Sequence, residues 1–157
     1  MERDREHILT DDLAATPFPP HGKVAILVEG PVMRMCITGP FNAELVRAFS
    51  SAFIAAMGRL PPDQPFACLA EWQGSMLTQL DALAMYKRLL VNSRPALGHL
   101  RGTVFLIPEH IEARALMLPL WRKLYEEVDY PMAIAASAAE ADALLARMLT
   151  IAPDGGQ

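Results

Sequence analysis

Short apolar runs alternate with stretches of helical periodicity along most of this chain, and that alternation limits the folds open to it. The first two runs are separated by Gly30-Pro31, a turn signal short enough for an antiparallel hairpin. Each later run is followed by a helical pattern, and strands joined through a helix pair in parallel. The order therefore predicts an α/β fold, with a mixed, mostly parallel sheet of about five strands packed by about four helices. The predicted strands are residues 24–29, 32–38, 66–72, 102–107 and 132–136.

Capping and breaking signals predict helices at about 42–59, 77–92, 110–128 and 137–149. Asn42 supplies an N-cap oxygen for the first helix. Ser137 and Glu140 have the spacing of a capping box, which opens the last helix. Pro119 lies inside the third helical pattern and predicts a break near Leu118, because proline lacks the N–H that a helix interior uses.

The length and composition fit one compact domain. The chain has 157 residues and a mass of 17.3 kDa, and 52% of its residues are hydrophobic, enough for a sizeable core. That composition excludes intrinsic disorder of the whole chain. Residues 16–20 are rich in proline, so residues 1–22 are predicted as a flexible arm. Residues 151–157 are predicted as a frayed tail, which leaves the domain at 23–150.

The charge and the amino terminus exclude several classes of partner. Fourteen Lys and Arg against 18 Asp and Glu give a net charge of −4. Binding to nucleic-acid phosphates needs concentrated positive charge, so no nucleic-acid partner is expected. The amino terminus is charged and lacks the apolar core of a secretory signal, which predicts a cytoplasmic protein. No apolar run is long enough to span a membrane.

Residues that carry chemistry are scattered along the chain. The four histidines do not stand at metal-ligand spacing from one another or from either cysteine. Ser75 follows Gly74 but lacks the second glycine of a nucleophile elbow, and no glycine-rich phosphate loop is present. Cys36 and Cys68 sit within apolar runs and are expected to be structural free thiols. We therefore expect no catalytic residue, no metal and no cofactor, and a role other than that of an enzyme.

Three short segments carry a resemblance to a known family. Residues 39–42 read Gly-Pro-Phe-Asn, where the hairpin gives way to the first helix, and residues 69–74 read Leu-Ala-Glu-Trp-Gln-Gly. Residues 137–145, in the last helix, read Ser-Ala-Ala-Glu-Ala-Asp-Ala-Leu-Leu. Together with the order of elements over residues 23–149, they resemble the divergent SpoIIAA-like branch of the STAS family. This branch is related to bacterial anti-sigma-factor antagonists and to the cytoplasmic tails of sulfate transporters.

The resemblance implies a non-catalytic regulatory domain that binds a protein partner near the start of the second helix. Trp72, Ser75, Met76 and Thr78 are the partner-binding residues that it implies. Phosphorylatable family members open this helix with an Asp-Ser-x-Gly-like sequence, whereas residues 79–82 of this chain, Gln-Leu-Asp-Ala, contain no hydroxyl. A phosphorylation switch at the family position is therefore not expected, and Ser75 and Thr78 leave a shifted site open.

The helical segments hold more apolar residues than one buried face needs, for example Leu116 in the third. Such a surplus is typical of a partner interface or of a pocket for an apolar ligand. The alternative function is therefore the binding of a lipid-like or other apolar small molecule, which the resemblance to the SpoIIAA-like branch also implies. The residues predicted to line that pocket are Phe53, Met117, Trp121 and Tyr125. A homodimer is a further alternative, because two-fold association covers an apolar face.

Overall fold

The computed structural model describes residues 7–10 and 22–150, and the described residues form six strands and four helices. The strands are β1 (Ile8–Leu9), β2 (Lys23–Glu29), β3 (Val32–Thr38), β4 (Phe66–Gln73), β5 (Leu100–Leu106) and β6 (Met132–Ala135). The helices are α1 (Ala43–Met57), α2 (Leu80–Asn92), α3 (Arg114–Val128) and α4 (Ala138–Thr150). The predicted arm at 1–22 lies largely outside the described residues, and the predicted tail at 151–157 lies wholly outside them.

The strands form one sheet, and their order across it is their order along the chain, from β1 to β6. β2 and β3 make the predicted antiparallel hairpin, in which Glu29 pairs with Val32 beside the turn. β3, β4, β5 and β6 run parallel, and each is joined to the next by a helix. The predicted α/β fold is confirmed, as a single domain with a mixed, mostly parallel sheet.

The sixth strand comes from the predicted arm. β1 pairs antiparallel with the middle of β2. Thr10, just after β1, is buried, and its hydroxyl accepts a hydrogen bond from the Val24 N–H at 2.9 Å. The sheet therefore has one strand more than the sequence predicts, and residues 8–10 belong to the fold. A two-residue strand pairs through its backbone, so no side-chain pattern reveals it.

The helices are divided unequally between the two faces of the sheet. α1, α2 and α3 pack on one face over the larger core, which includes Met33, Trp72 and Trp121. α4 packs on the other face against β4, β5 and β6, over a smaller core that includes Leu69 and Leu145. Side chains alternate in burial along β2 and β3, because α4 reaches the second face of that hairpin only at its margin, where Asp142 lies 3.7 Å from Arg34.

The two cysteines are free and point to opposite faces of the sheet. Cys68 faces the larger core, where burial raises the pKa of its thiol to about 12. Cys36 is half-buried on the other face, and burial, followed by the nearby Glu71 carboxylate, raises the pKa of its thiol. Both thiols therefore stay protonated at neutral pH, and the prediction of structural free thiols is confirmed.

Both predicted helix caps are present. The Asn42 side chain accepts a hydrogen bond from the Leu45 N–H at 3.0 Å and caps α1. At the start of α4, the Ser137 hydroxyl accepts from the Glu140 N–H at 3.2 Å, and the Glu140 carboxylate accepts from the Ala136 N–H at 3.1 Å. Each cap satisfies backbone donors that the first turn of a helix leaves unpaired.

α3 differs from the prediction in its start and in its continuity. It begins at Arg114 rather than at residue 110. It also passes through Pro119 without the predicted break near Leu118. The missing proline N–H removes one helical hydrogen bond. Buried residues of the same helix, such as Trp121, hold it against the sheet, so the packing maintains one helix where the local sequence predicts two.

Candidate functional site

Three loops meet at one end of the sheet, beyond the carboxyl ends of the parallel strands. They are residues 39–42 between β3 and α1, 74–79 between β4 and α2, and 107–113 between β5 and α3. Phe41 pairs with Thr78 through an isolated backbone bridge, and Ser75 pairs with Glu112 in the same way. We call these three segments the loop edge. Its middle loop is held on both sides by segments distant in the sequence.

These contacts explain why α2 begins at Leu80, later than predicted. The Phe41 N–H donates to the Leu77 carbonyl at 2.8 Å, and the Gln79 N–H donates to the Phe41 carbonyl at 3.1 Å. The middle loop therefore lies extended beside the first loop. The predicted helix start is wrong because this tertiary pairing uses backbone groups that a further helical turn would need.

Two glycines of the sequence motifs allow the loops to meet. A Cβ at Gly39 would lie 1.9 Å from the Ser75 carbonyl oxygen, so no side chain fits there. Gly74 has a φ of +71°, in the left-handed region that glycine adopts at little cost. The motif glycines thus serve the close approach and the turn within the loop edge.

The hydroxyls of Ser75 and Thr78 stabilise the middle loop. Ser75 Oγ donates to Glu112 Oε1 at 3.0 Å and accepts from the Leu77 N–H at 3.0 Å. Thr78 Oγ1 donates to the Met76 carbonyl at 2.8 Å. Both residues are buried. Each hydroxyl is therefore engaged within the loop edge itself.

The four predicted partner-binding residues lie together at this edge but do not form its surface. Trp72, Ser75, Met76 and Thr78 are only 1%, 7%, 0% and 5% exposed. They build the interior of the loop edge and its junction with β4. Because they are buried, other side chains form the surface of this edge, and the binding of a partner by these four residues stays a prediction.

Three leucines at the same edge are exposed instead. Leu77, Leu80 and Leu116 expose 43%, 74% and 63% of their surface. Leu77 lies in the middle loop, Leu80 is the first residue of α2, and Leu116 lies in the first turn of α3. We call these three residues the leucine patch. The sequence predicts that Leu77 and Leu80 lie in one helix from residue 77, and their exposure follows only from the tertiary structure.

The directions of α2 and α3 bring the leucine patch together. Both helices connect parallel strands, so both run in the same direction and have their amino-terminal ends at the loop edge. Leu83 of α2 and Leu120 of α3 line the groove between the two helices. Leu80 and Leu116 precede them by about one helical turn. Both exposed leucines therefore lie at the end of that groove.

The residues predicted for the alternative ligand pocket are all in the larger core. They are Phe53, Met117, Trp121 and Tyr125. The Trp121 ring lies 5.5 Å from the Trp72 ring and 5.0 Å from the Tyr86 ring, both edge-on, and 5.8 Å from the Phe105 ring. We call Trp72, Tyr86, Phe105, Trp121 and Tyr125 the aromatic cluster. Its rings pack at distances that leave little free space.

The aromatic cluster borders a cavity of about 10 Å³, which has room for roughly one water molecule. Trp121 lines this cavity, whereas Phe53, Met117 and Tyr125 do not. The indole N–H groups of Trp72 and Trp121 are buried without a hydrogen-bond acceptor among the described residues. The surrounding ring faces are weak acceptors at best. The cluster is thus closed to a lipid-sized molecule and retains two unpaired donors.

The described part of the chain offers no metal site and no membrane-spanning helix. Within residues 7–10 and 22–150, no three His, Cys, Asp or Glu side chains are grouped so that they could hold a metal ion. No helix in those ranges combines the length and the apolar character needed to cross a membrane. Many α/β proteins bind a ligand at the point where the order of the strands across the sheet reverses. The described strands follow chain order throughout and have no such point. The leucine patch and the aromatic cluster are therefore the two candidate sites.

Comparisons of the chain with protein-family models, with curated proteins and with solved structures find no match. The resemblance to the STAS family therefore stays a prediction from three short motifs and the order of elements. Function has to be inferred from the chemistry of the leucine patch and of the aromatic cluster.

Proposed function

We propose that this chain is a non-catalytic, cytoplasmic, STAS-like domain that binds a protein partner through the leucine patch. One observation carries the proposal. Three of the six large apolar side chains exposed among the described residues, Leu77, Leu80 and Leu116, lie at one edge of the sheet. Exposed apolar clusters on a soluble domain mark interaction sites.

Burial of the leucine patch would supply much of the free energy of binding. Full burial of one leucine side chain contributes roughly 1.5–3 kcal/mol. Leu80 and Leu116 have more than half of their surface available. The patch also lies on two helices and on a loop held by backbone bridges. Little ordering is needed when a partner binds such a preformed surface.

The surroundings of the patch support an interaction without a phosphorylation switch. Residues 79–82 contain no hydroxyl, and the nearby Ser75 and Thr78 are buried. Asp81 is exposed, and its carboxylate accepts a hydrogen bond from the Ala82 N–H at 2.8 Å. A negative charge in the first turn is favoured by the helix dipole, so Asp81 has a role within α2 itself.

The test of this proposal replaces Leu80 by aspartate. Because Leu80 is 74% exposed, Leu80→Asp should leave the melting temperature nearly unchanged. The immobilised wild-type chain, incubated with an extract of its own cells, should retain a protein that the variant does not retain. Once that protein is identified by mass spectrometry, calorimetry should show an affinity for the variant lower by about tenfold or more, which corresponds to about 1.4 kcal/mol.

Ile54→Asp is the matched control for Leu80→Asp. Ile54 is 66% exposed and lies in the second half of α1, towards the end of the sheet where the parallel strands begin. Binding that survives Ile54→Asp and is lost in Leu80→Asp supports the leucine patch as the interface. A partner that binds both variants as tightly as the wild type would show that the interface lies elsewhere.

A second candidate function, the binding of an apolar small molecule, is favoured by the unpaired indole N–H groups of Trp72 and Trp121. A buried donor without an acceptor costs roughly 1–3 kcal/mol. A ligand with an apolar body and a carboxylate or carbonyl oxygen would remove that cost. Since the cavity has roughly room for one water, this function requires the aromatic cluster to open.

Trp72 and Trp121 are the two tryptophans of the chain, so intrinsic fluorescence tests this second function directly. Titration with decanoate should change the fluorescence and raise the melting temperature with ligand concentration. A native mass spectrum should show the bound molecule. Decane, which lacks an acceptor, is the control and should bind more weakly. Unchanged fluorescence and melting temperature, together with an unliganded mass, would exclude this function.

A further inference from the structure

The sheet has an open edge at β6. The Ile107 N–H donates to the Ala135 carbonyl at 3.0 Å, which fixes the direction of the backbone groups in this parallel pair. Odd-numbered residues of β6 point their N–H and C=O groups at β5, whereas Met132 and Ile134 point theirs away from the sheet. These groups have no partner among the described residues. Such an edge is a template for another strand.

A surface cleft of about 890 Å³ runs along this edge, between α3 and β6. Its apolar lining includes Tyr130, Met132 and Ile134, which are half-buried. The α3 side of the cleft provides the charged residues Arg122, Glu126 and Asp129. Tyrosine, methionine and arginine are enriched in protein interfaces. A strand placed against β6 would cover the apolar lining and would meet these charges.

We propose that a second copy of this chain covers the edge, with the two β6 strands antiparallel about a two-fold axis. A two-fold interface has to complement itself. Several registers use the free groups, and in the one centred on Ala133, Met132 exchanges two hydrogen bonds with Ile134 of the second copy. Ala133 then faces itself across the axis, where its small side chain leaves room. One continuous sheet runs through both copies.

The charges of α3 fit the same axis independently. α3 runs antiparallel to β6, so positions along the two elements can be compared by their rise per residue. A strand rises about 3.3 Å per residue and a helix about 1.5 Å. The two residues from Pro131 to Ala133 therefore cover the same length as about four residues of α3. Asp129 and Pro131 lie in the turn between α3 and β6, and the axis therefore passes near Tyr125. Arg122 and Asp129 lie at nearly equal distances on either side of it. Each Arg122 thus meets Asp129 of the second copy.

Cysteine cross-linking tests this register directly. In a Cys36→Ala background, Ala133→Cys forms a non-hydrogen-bonded pair across the axis, in which the Cβ atoms lie about 4.5 Å apart, the upper end of the distance that a disulfide spans. Oxidised glutathione should convert this variant into a covalent dimer on a non-reducing gel. Ala136→Cys is the matched control. Its two thiols would lie about 20 Å apart along the paired strands and should not cross-link.

Sedimentation of the full chain over a range of concentrations gives a second readout. The wild type should be dimeric, and Met132→Lys and Arg122→Glu should each weaken the dimer by about tenfold or more. Glu126 is the charged residue of this cleft nearest the axis and would face Glu126 of the second copy, so Glu126→Gln should strengthen the dimer. Leu80→Asp should leave the dimer unchanged, which separates this proposal from partner binding at the leucine patch.

Several outcomes would overturn the proposed dimer. One is a chain that stays monomeric at every concentration. Another is a dimer in which Ala133→Cys and Ala136→Cys cross-link equally well, or in which Ala133→Cys does not cross-link at all. A dimer that Met132→Lys does not weaken would also show that association uses another surface. Melting curves of the variants verify that each one is folded.

Discussion

Two buried hydroxyls share one hydrogen bond in the aromatic cluster. The Tyr86 and Tyr125 oxygens are 2.7 Å apart. Burial raises the pKa of both phenols above their ordinary value. The nearby Thr103 side chain partly opposes the effect of burial on the pKa of Tyr125, whereas Tyr125 is the one side chain that has this effect on Tyr86 among the described residues. The two tyrosines therefore depend on the shared bond to different degrees.

Removal of each hydroxyl in turn should reveal this asymmetry. Tyr125→Phe leaves the buried Tyr86 hydroxyl without a partner, and the free energy of unfolding should fall by about 1–3 kcal/mol. Tyr86→Phe leaves the Tyr125 hydroxyl near Thr103, which can replace the lost partner, and should lower the free energy of unfolding by only about 0.5–1.5 kcal/mol. Urea unfolding followed by circular dichroism measures both changes.

Tyr130→Phe is the control for these variants. The Tyr130 hydroxyl is not part of the shared bond, and its ring lies 5.3 Å from the Arg94 guanidinium, a contact that phenylalanine preserves. Its effect should stay within about 0.5 kcal/mol. Equal losses in Tyr86→Phe and Tyr125→Phe would show that Thr103 does not support Tyr125.

At the scale of single elements, α3 shows packing that outweighs local sequence. Pro119 is exposed in the second turn, where its ring removes the hydrogen bond to the Ala115 carbonyl. Met117, Trp121 and Leu124 bury the other side of the helix in the larger core. Helices in proteins derive most of their stability from such a buried face. The helix therefore continues through a residue that predicts its end.

Replacement of Pro119 by alanine should stabilise the protein. The change restores a backbone hydrogen bond and removes a steric clash, so we expect a gain of about 1–3 kcal/mol. Greater freedom of the unfolded chain offsets part of that gain. Calorimetry should show a higher melting temperature. Pro62→Ala, in an exposed turn, is the control and should lower stability slightly. A melting temperature that does not rise in Pro119→Ala would contradict this account of α3.

The elements that the sequence predicts well are those with a strong local pattern. The hairpin, β4, the start of α1 and the capping box of α4 all follow from residues close together in the chain. β1 and the start of α2 do not, because backbone bonds to distant segments create them. The site follows the same rule. Ser75 and Met76 are buried by contacts with residues such as Gly39 and Glu112, so sequence reasoning does not distinguish them from the exposed Leu77.

For the molecule as a whole, the proposed sites occupy separate places. The leucine patch lies at the ends of the parallel strands, the proposed dimer surface lies along β6, and the aromatic cluster lies inside the larger core. A dimer through β6 would leave both leucine patches free. The proposed assembly therefore has two equivalent partner sites, one on each copy.

The linear order of the strands also bears on how the chain is made. Each strand lies beside the strands that come immediately before and after it in the sequence. A strand that leaves the ribosome therefore finds its neighbour already synthesised, and no gap has to stay open for a later insertion. Because paired strands are consecutive, the chain between them is no longer than one helix with its loops, which limits the loop that each pairing has to close. The protein can thus assemble during translation, one strand and one helix at a time, with the newest strand at the growing edge until β6 is in place.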